Sequence, residues 1–486
     1  MSFLTLKRIL LMFLLITSIF GITYYQLIHA NQDITSISDL TVNRKQKTDY
    51  KNLFDNGNFK SITIEFSEII FQELLSSMQD YFDQYGTYQD NSMHKITMKY
   101  SDGLGNSFTV NEVGFRTKSN TSRNLPLTYD WMERKNYHQT SFQLQFDATF
   151  DYDNHSNEYA VLNSREVFNV DQLNFEYCKS FDSQYDEAMI SEAFAYYLYE
   201  QAGVTVSNAS YGLVYFQIGE ELIPFGFYTI IEPIDQEFIK KNFDGNLIGE
   251  YGDLYKATDV MEPATLDLNF DGLIGIDENE DNVRFTYSLK NNSLDGTRKI
   301  FNDLTNFIEG INNFSYYENH FTSLLDVDMF IRTLAMGFLI GNTDDYRYNY
   351  NNFYLYFDVY TNQVSFIPFD LDSSLGFGKH QDLSGNYGVY YDLYSATDET
   401  AILINNLLAI PVYNQLYLQY LEEFIQDVFR YDIFYLEFLD AKELYESILV
   451  SENHLGNQVF HERNASWYFT TKAEYSLNLI ENYHSS

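Results

Sequence analysis

The chain begins with a long apolar stretch. Lys7 and Arg8 precede a run of apolar residues that continues, with minor breaks, to about Ile28. That length is close to the roughly 20 residues that a helix needs to cross a bilayer, and the two basic residues would stay on the cytoplasmic side. The pattern predicts a signal anchor over residues 1–30, with a cleaved signal peptide as the alternative. The main domain would then face outward, in a single-pass protein of the cell membrane or in a secreted one.

Beyond this stretch the pattern changes from polar to alternating. Residues 31–60 are polar with a short charge run, which predicts a linker. Apolar and polar positions then alternate as in strands, for example over residues 62–66 and around a glycine-rich turn at residues 103–105. Helical spacing follows Ser67, a residue type that caps helices. The domain is therefore predicted to begin with an antiparallel sheet.

Helical spacing dominates the second half of the chain. A helix is predicted at residues 186–202, ahead of two further strands at 213–217 and 226–231. The later predicted helices lie at about 297–312, 324–341, 400–408, 411–429, 435–449 and 466–484. Strands followed by helices predict an α+β domain over residues 61–486, with a sheet-rich lobe at about 61–255 and a mostly helical lobe at about 256–486.

The composition excludes several classes of protein. The formal net charge is −39, so the chain lacks the clustered Lys and Arg that neutralise nucleic-acid phosphates. Hydrophobic residues make up 45% and aromatic residues 18%, which is enough for a packed core and too much for a disordered acidic chain. Cys178 is the single cysteine, which excludes an intrachain disulfide and a cysteine-rich zinc site.

The segment at residues 342–376 combines acidic and amide side chains. Asp344 lies in a loop after a predicted helix, Asn349 follows it, and two short predicted strands then lead to Asp370. A kinase-like site uses this order, in which one Asp orients the attacking hydroxyl, an Asn holds a metal ion, and a second Asp reaches the metal ions on the nucleotide phosphates. Asp372 lies on the same face of an extended segment as Asp370, so both can share one Mg²⁺ or Mn²⁺.

Other interpretations of this segment stay open. Asp and Asn after helices commonly cap or turn the chain without any further function. A D-x-D pair also occurs in metal-dependent glycosyl transferases, which would need a nucleotide-sugar pocket and no ATP binding. The spacing by itself leaves a phosphotransferase, a glycosyl transferase and a purely structural segment as alternatives.

A separate metal signal lies at residues 267–278. Asp267, Asn269 and Asp271 supply oxygens at positions 1, 3 and 5 of the pattern D-x-[DN]-x-[DN]-G-x5-E, and Glu278 supplies the carboxylate at position 12. The match predicts a bound Ca²⁺ with a structural role. The alternative is an acidic turn without an ion.

The segment at residues 342–376 resembles the signature of the spore-coat protein H (CotH) kinase family, and upstream segments continue the similarity in the right order. The resemblance covers roughly residues 110–380. Phe369 stands where the family usually has Trp. The matching residues are Asn342, Asp344, Asn349, Asn352, Tyr354-Leu355-Tyr356, Pro368 and Asp370-Leu371-Asp372, with Glu192, Gly226-Phe227-Tyr228, Glu232, Asp235, Leu254-Tyr255-Lys256 and residues 287–291 upstream.

The resemblance implies an atypical protein-kinase fold that uses ATP and a divalent cation to phosphorylate proteins, at the spore surface in the type member. It makes Asp344 the candidate catalytic base and Asn349 and Asp370 candidate metal ligands, with Asp372 beside them. Three lysines compete for the nucleotide phosphates, and Glu192 is a candidate ion-pair partner for one of them. The candidate nucleotide-binding residues are Arg116, Lys118, Glu192, Glu232, Lys256 and Lys290.

Departures from the family pattern keep a second class of protein open. Ser119 replaces a Gly, and Gln139-Thr140 stand where a Lys pair is usual. One hypothesis is a membrane-anchored, extracytoplasmic kinase that transfers the γ-phosphate of ATP to Ser or Thr of surface or spore-coat-type proteins. The other is a catalytically inactive kinase-fold surface protein that acts as a binding, adhesion or assembly scaffold. The intact Asp344 and Asp370 favour the enzyme.

Overall fold

A computed structural model gives the fold of the chain. It describes residues 47–119, 123–178, 188–258, 263–268, 274–275, 286–291, 302–313, 319–376, 401–462 and 465–485. Within these ranges, no helix has both the length and the apolar character needed to cross a membrane. The predicted signal anchor at residues 1–30 lies outside the described residues.

The N-terminal half of the domain forms a closed barrel. The strands of this half of the domain are, in chain order, β1 (Lys60–Phe66), β2 (His94–Asp102), β3 (Ser107–Thr117), β4 (Leu127–Tyr129), β5 (Lys135–Tyr137), β6 (Phe142–Gln145), β7 (Gln172–Tyr177), β8 (Ala209–Ile218) and β9 (Glu221–Ile231). The barrel order is β1-β2-β3-β6-β7-β9-β8, and β4 pairs with β5 in a separate hairpin. Neighbouring barrel strands are antiparallel except β1 and β8, which are parallel. The predicted antiparallel sheet is thus closed by a parallel pair.

A packed helix occupies part of the predicted linker at residues 31–60. Helix α1 (Lys47–Leu53) ends in Leu53, whose side chain is fully buried in the barrel core. The carbonyl oxygen of Leu53 accepts a 2.7 Å hydrogen bond from Ser210 Oγ on β8. The linker therefore ends earlier than its polar composition predicts, because Leu53 packs this short helix against the barrel core.

Helix α2 (Glu68–Tyr85) begins and ends where its sequence predicts. Ser67 Oγ accepts a hydrogen bond from the backbone N–H of Ile70, and Gly86 ends the helix with a left-handed φ of 73°. One face of the helix packs into the barrel core. The buried side chains of that face are Phe71, Leu74 and Met78.

A second sheet follows the barrel. Its strands are β10 (Leu254–Ala257), β11 (Ile274–Gly275), β12 (Tyr287–Leu289), β13 (Phe353–Asp358) and β14 (Gln363–Pro368), in the order β11-β12-β10-β13-β14. The hairpin of β13 and β14 confirms the strand pair predicted before Asp370. The sheet crosses the predicted lobe boundary near residue 255 and places strands within the part predicted to be mostly helical.

The other helices are α3 (Asn157–Leu162), α4 (Ser191–Gln201), α5 (Gln236–Asn242), α6 (Asn302–Asn312), α7 (Asn319–Thr322), α8 (Val327–Ile340), α9 (Ile402–Leu408), α10 (Pro411–Asp427), α11 (Tyr431–Ser451) and α12 (Ala465–Ser485). The C-terminal helices lie within a few residues of their predicted bounds. Helix α8 is buried along most of its length and packs against α10 and β14. The fold is therefore mixed α+β, as predicted.

Candidate active site

The loop after helix α8 is built around Asp344. Helix α8 ends at Gly341, whose φ of 62° turns the chain out of the helix. The backbone N–H of Asp344 donates to Asn342 Oδ1 at 2.9 Å. Asp344 Oδ1 accepts hydrogen bonds from Asn349 Nδ2 at 2.9 Å and from Asn351 Nδ2 at 3.3 Å. The predicted pair of Asp344 and Asn349 is thus in direct contact, and Asn351 adds a second donor.

Asp345 fixes this loop from the buried side. Its Oδ1 accepts the backbone N–H groups of Arg347 at 2.9 Å and Tyr348 at 3.1 Å. Arg347 is itself buried and donates to the carbonyl oxygen of Leu334 in α8 at 2.8 Å. Burial, opposed by the Arg347 guanidinium, raises the pKa of Asp345 to about 6. Asp344 therefore projects from a loop that is tied to a buried helix.

Backbone hydrogen bonds bring the end of β14 to this loop. The N–H of Phe369 donates to the carbonyl oxygen of Asn352 at 3.1 Å, and Asn352 Nδ2 donates to the carbonyl oxygen of Asp344 at 2.9 Å. The N–H of Thr343 donates to the carbonyl oxygen of Ser373 at 3.3 Å. The two halves of the predicted motif are therefore adjacent in space.

Asp370 leaves β14 with a left-handed φ of 57°, a region that Asp adopts more readily than most residues. Its backbone N–H donates to Tyr196 Oη on α4 at 3.1 Å. Asp372 follows and is half-buried. Both carboxylates act electrostatically on Glu192, in the first turn of α4. The turn after β14 thus places Asp370 and Asp372 next to α4.

Cationic side chains from the barrel and the second sheet lie beside the motif, near Phe369. Burial, and then the Lys118 ammonium, lowers the pKa of Lys256 to about 8. Burial, and then Lys256 and Arg116, lowers the pKa of Lys290 well below its usual value. The Nζ atoms of Lys256 and Lys118 lie 4.3 Å and 5.8 Å from the centre of the Phe369 ring. These predicted nucleotide-binding residues are brought together, and their mutual repulsion favours an anionic ligand.

Strand register explains how Arg116 and Lys118 reach this position. Arg116 on β3 lies opposite Gln143 on β6, which lies opposite Asn174 on β7. Side chains alternate between the two faces of a strand, so Lys118 and Glu176 share the outer face of the barrel with these residues. The interior positions of the same strands are held by Phe115, Phe142 and Phe175.

Lys118 pairs with Glu176, which corrects the prediction that Glu192 is the partner of a lysine. Lys118 Nζ lies 2.8 Å from Glu176 Oε1. Burial by itself would raise the pKa of Glu176, but the Lys118 ammonium outweighs burial and the pKa is lowered. Glu176 was not identified from the sequence. Its signal there is an acidic residue at an outward position of an otherwise alternating strand.

Glu192 lies among side chains of its own charge. Only 8% of the residue is exposed. Burial, and then Asp372, Glu176 and Asp370, raises the pKa of Glu192 well above its usual value. Its Oε1 accepts no hydrogen bond from the described residues. The site therefore holds both charges, with cations from β3 and the second sheet and carboxylates from β7, α4 and the turn after β14.

Glu232 belongs to a different network. Its carboxylate contacts Lys241 on α5 and accepts hydrogen bonds from Tyr50 Oη at 2.7 Å and Asn208 Nδ2 at 3.1 Å. Glu232 therefore links α1 and α5 at the end of β9. The structure does not bring it to the predicted nucleotide-binding residues, because its buried carboxylate is already occupied by these partners.

Of the predicted Ca²⁺ ligands, Asp267 is the one that lies within the described residues. Asp267 is exposed, and its backbone N–H lies 3.5 Å from Thr265 Oγ1. Asn269, Asp271 and Glu278 lie outside the described residues. Calcium binding at this loop therefore stays a prediction.

The side-chain oxygen atoms of the site are suitable ligands for a divalent cation that is bound to a nucleotide. In the part of the chain that the structure describes, no three acidic, His or Cys side chains form a ready metal site. Asn349, Asp370 and Asp372 supply oxygen atoms, and Glu192 adds a buried oxygen without a donor. Mg²⁺ commonly takes one or two carboxylates and completes its shell with phosphates and water, so a preformed cage is not required.

The site falls largely within a region that matches a known family. The family model described as CotH kinase protein matches residues 130–464, which include the motif around Asp344 and Asp370 as well as Glu176, Glu192 and Lys256. A comparison with curated proteins finds no match. Because the family match covers the bulk of the chain, the protein belongs to the CotH kinase family.

Proposed function

We propose that the protein is an ATP-dependent protein kinase that transfers the γ-phosphate to Ser or Thr of surface or spore-coat-type proteins. Membership of the CotH kinase family supports the kinase class. The observation that carries the proposal is the meeting of cationic and acidic side chains in one site, which suits a nucleoside triphosphate with its cation. The cationic side chains are Arg116, Lys118, Lys256 and Lys290, and the acidic ones are Glu176, Glu192, Asp370 and Asp372.

Asp344 is proposed to act on the acceptor hydroxyl. Amide donors from Asn349 and Asn351 hold its carboxylate in one orientation. In phosphoryl transfer, such an Asp accepts the hydroxyl proton while the hydroxyl oxygen bonds to the γ-phosphorus and the bond to ADP breaks. Asn349, Asp370 and Asp372 would hold Mg²⁺ or Mn²⁺, which neutralises charge on the phosphates when bound.

The proposed location is the outer side of the cell membrane. The apolar run from Ile9 to about Ile28, which follows Lys7 and Arg8, supports a signal anchor over residues 1–30, or secretion after cleavage. A net charge of −39 supports protein rather than nucleic-acid substrates. A Ser/Thr-rich surface or coat protein is therefore the proposed phosphate acceptor, with Ca²⁺ at residues 267–278 as a structural ion.

A non-catalytic scaffold is the second candidate, and Gln139 and Thr140 favour it. They stand where the family usually carries lysines. Gln139 Nε2 donates to the carbonyl oxygen of Phe225 at 3.0 Å, and Thr140 is buried. Both residues serve barrel packing instead of phosphate binding. In this alternative the same fold binds a surface protein without phosphate transfer.

The test is phosphate transfer by the full-length protein from γ-labelled ATP to a Ser-rich acceptor, with Mg²⁺ or Mn²⁺. Asp344→Asn keeps the size of the side chain and removes its charge, so we expect the rate to fall at least about 100-fold. Asp151→Asn changes an exposed aspartate and serves as the control, with wild-type transfer expected.

Two results would reject the proposal. Transfer by Asp344→Asn at the wild-type rate would remove the mechanism. Absence of both ATP binding and transfer in the wild-type protein, with either cation, would favour the scaffold.

A further inference from the structure

A cleft lies at the end of the barrel where β1 leads into helix α2. Its walls come from α2, from the β4–β5 hairpin and from the turn between β8 and β9. Its volume is about 400 Å³, within the range of roughly 300–1,000 Å³ that is usual for binding sites. Helix α2 and β4 precede the residues 130–464 that match the CotH kinase family, so the family match assigns this cleft no role.

The buried side of the cleft is apolar. Phe71 of α2, Leu127 of β4 and Ile218 of β8 line it and are 1%, 3% and 8% exposed. Tyr129 lines it from the hairpin, and 53% of this residue is exposed. Trp131, at the tip of the same hairpin, is 85% exposed. Exposed aromatic side chains beside an apolar cleft are typical of sites that bind another protein.

Polar side chains hold the hairpin in place. Glu221, at the start of β9, forms an ion pair with Lys135 and accepts a 3.0 Å hydrogen bond from Tyr137 Oη. At the tip, Asp130 Oδ1 accepts the backbone N–H of Arg134 at 3.0 Å, and Asp130 Oδ2 accepts Arg134 Nε at 2.8 Å. A surface that is already ordered loses little conformational entropy on binding, so this hairpin is suited to docking.

The charge that remains around the cleft is negative. Lys135 lines the cleft, but Glu221 already engages its ammonium. Glu68 and Glu220 also line it, and neither has an ion-pair partner within the described ranges. Two such carboxylates beside an apolar surface favour a ligand that is both apolar and positively charged.

We propose that this cleft docks an extended segment of a partner protein in which a large apolar side chain adjoins Lys or Arg. The apolar side chain would contact Phe71 and Leu127, and the cation would pair with Glu68 and Glu220. Charge selects this occupant, because the two carboxylates would repel an anionic membrane and a second copy would bring the same net charge of −39. The inference is independent of the proposed phosphate transfer.

The test selects short peptides from a random display library on the full-length protein and measures their affinity by fluorescence anisotropy, without nucleotide. We expect the selected peptides to combine a large apolar residue with Lys or Arg. The double variant Glu68→Gln/Glu220→Gln should bind them about tenfold more weakly, because it removes the charges that face the cation. Tyr129→Ser should lower the affinity by a similar factor of about ten, because it removes an aromatic wall of the cleft.

Two variants outside the cleft serve as matched controls. Leu104→Ser changes an exposed leucine in the turn between β2 and β3, next to the start of β1 and therefore at the opposite end of that strand. Glu73→Gln changes an exposed glutamate of α2 that does not line the cleft. Both should bind the selected peptides as wild type does, and melting temperatures establish that every variant is folded.

Several results would overturn the assignment. Among them are the absence of any selected peptide, peptides without Lys or Arg, and equal affinity of wild type and the cleft variants. Binding to vesicles of phosphatidylglycerol and phosphatidylcholine that Tyr129→Ser abolishes would assign the surface to a membrane. A dimer in sedimentation velocity that Tyr129→Ser dissociates would assign it to a second copy of the chain.

Discussion

At the scale of single residues, the acidic side chains of the site differ in the groups that surround them. Asp344 accepts two amide hydrogen bonds, Glu176 is paired with Lys118, and Glu192 Oε1 is buried and accepts no hydrogen bond from the described residues. An oriented carboxylate can accept a proton, a paired one fixes a lysine, and a buried one without a donor favours its protonated form. The chemistry of each follows from its neighbours instead of its residue type.

Glu232 provides a test of this distinction. It was a candidate nucleotide-binding residue, yet it contacts Tyr50, Asn208 and Lys241. We expect Glu232→Gln to lower the free energy of unfolding by about 1–3 kcal/mol, because it breaks a buried charged network, and to leave ATP affinity unchanged. Urea unfolding and ATP titration measure the two effects. A loss of ATP affinity with unchanged stability would contradict the assignment.

The sequence predicts contacts within one loop better than contacts across strands. Asp344 and Asn349 lie in the same turn, so their spacing is sufficient to predict that they meet. Lys118 meets Glu176 because β6 separates β3 from β7 in the barrel, and that order depends on strands far apart in the chain. The assignment of Glu192 as a lysine partner fails for this reason.

At the scale of elements, the start of β1 joins the barrel to helix α11. Lys60 is fully buried, and its Nζ donates to the carbonyl oxygen of Asp55 at 2.6 Å. Its backbone N–H donates to Tyr445 Oη on α11 at 2.9 Å. Burial lowers the pKa of Lys60 to about 7, although the nearby carboxylates of Asp55 and Glu437 oppose the shift. The contact between barrel and helix therefore contains a titratable group.

This lysine predicts a dependence of stability on pH. Its pKa is about 7 in the folded protein and near 10.5 when exposed, so the unfolded chain holds more protons between these values and stability rises with pH. From pH 7 to pH 9, we expect wild type to gain about 2 kcal/mol relative to Lys60→Met. Urea unfolding at both pH values measures the difference. The control Lys51→Met changes an exposed lysine, and its free energy of unfolding should rise with pH as much as that of wild type. An equal rise in Lys60→Met would contradict the prediction.

The elements that could be predicted are those whose pattern is local. In helix α8, helix α10 and the β13–β14 hairpin, the spacing of the buried positions can be read from a short stretch of sequence. The parallel register of β1 on β8 pairs Ser61 with Leu213, and β10 pairs with β13 through Leu254 and Tyr356. These pairings join distant segments, and no local periodicity contains them.

At the scale of the whole molecule, one apolar core joins the barrel to the helical region. It includes Phe227 of β9, Phe338 of α8 and Tyr445 of α11. This core carries the stability of a chain with a single cysteine, Cys178, which has no intrachain disulfide to support it. The predicted Ca²⁺ loop is the further source of stability that the sequence offers.

The calcium prediction is tested by Glu278→Gln, which removes the bidentate ligand. We expect wild type to melt at a higher temperature in Ca²⁺ than in chelator, and Glu278→Gln to melt at the same temperature in both, because the ion binds the folded state. Glu280→Gln changes a neighbouring glutamate outside the pattern and should behave as wild type. Equal melting of wild type in Ca²⁺ and chelator would identify the loop as an empty turn.

The parallel register between β1 and β8 also sets the order in which a nascent chain can fold. Ser61 can pair only after Leu213 has been synthesised, and Phe66 only after Ile218. Before that part of the chain is synthesised, β1 has one unpaired edge, and such edges recruit strands from other molecules. Joining segments so distant is also slow. A chain emerging from the ribosome therefore exposes this edge until residue 218 has been synthesised.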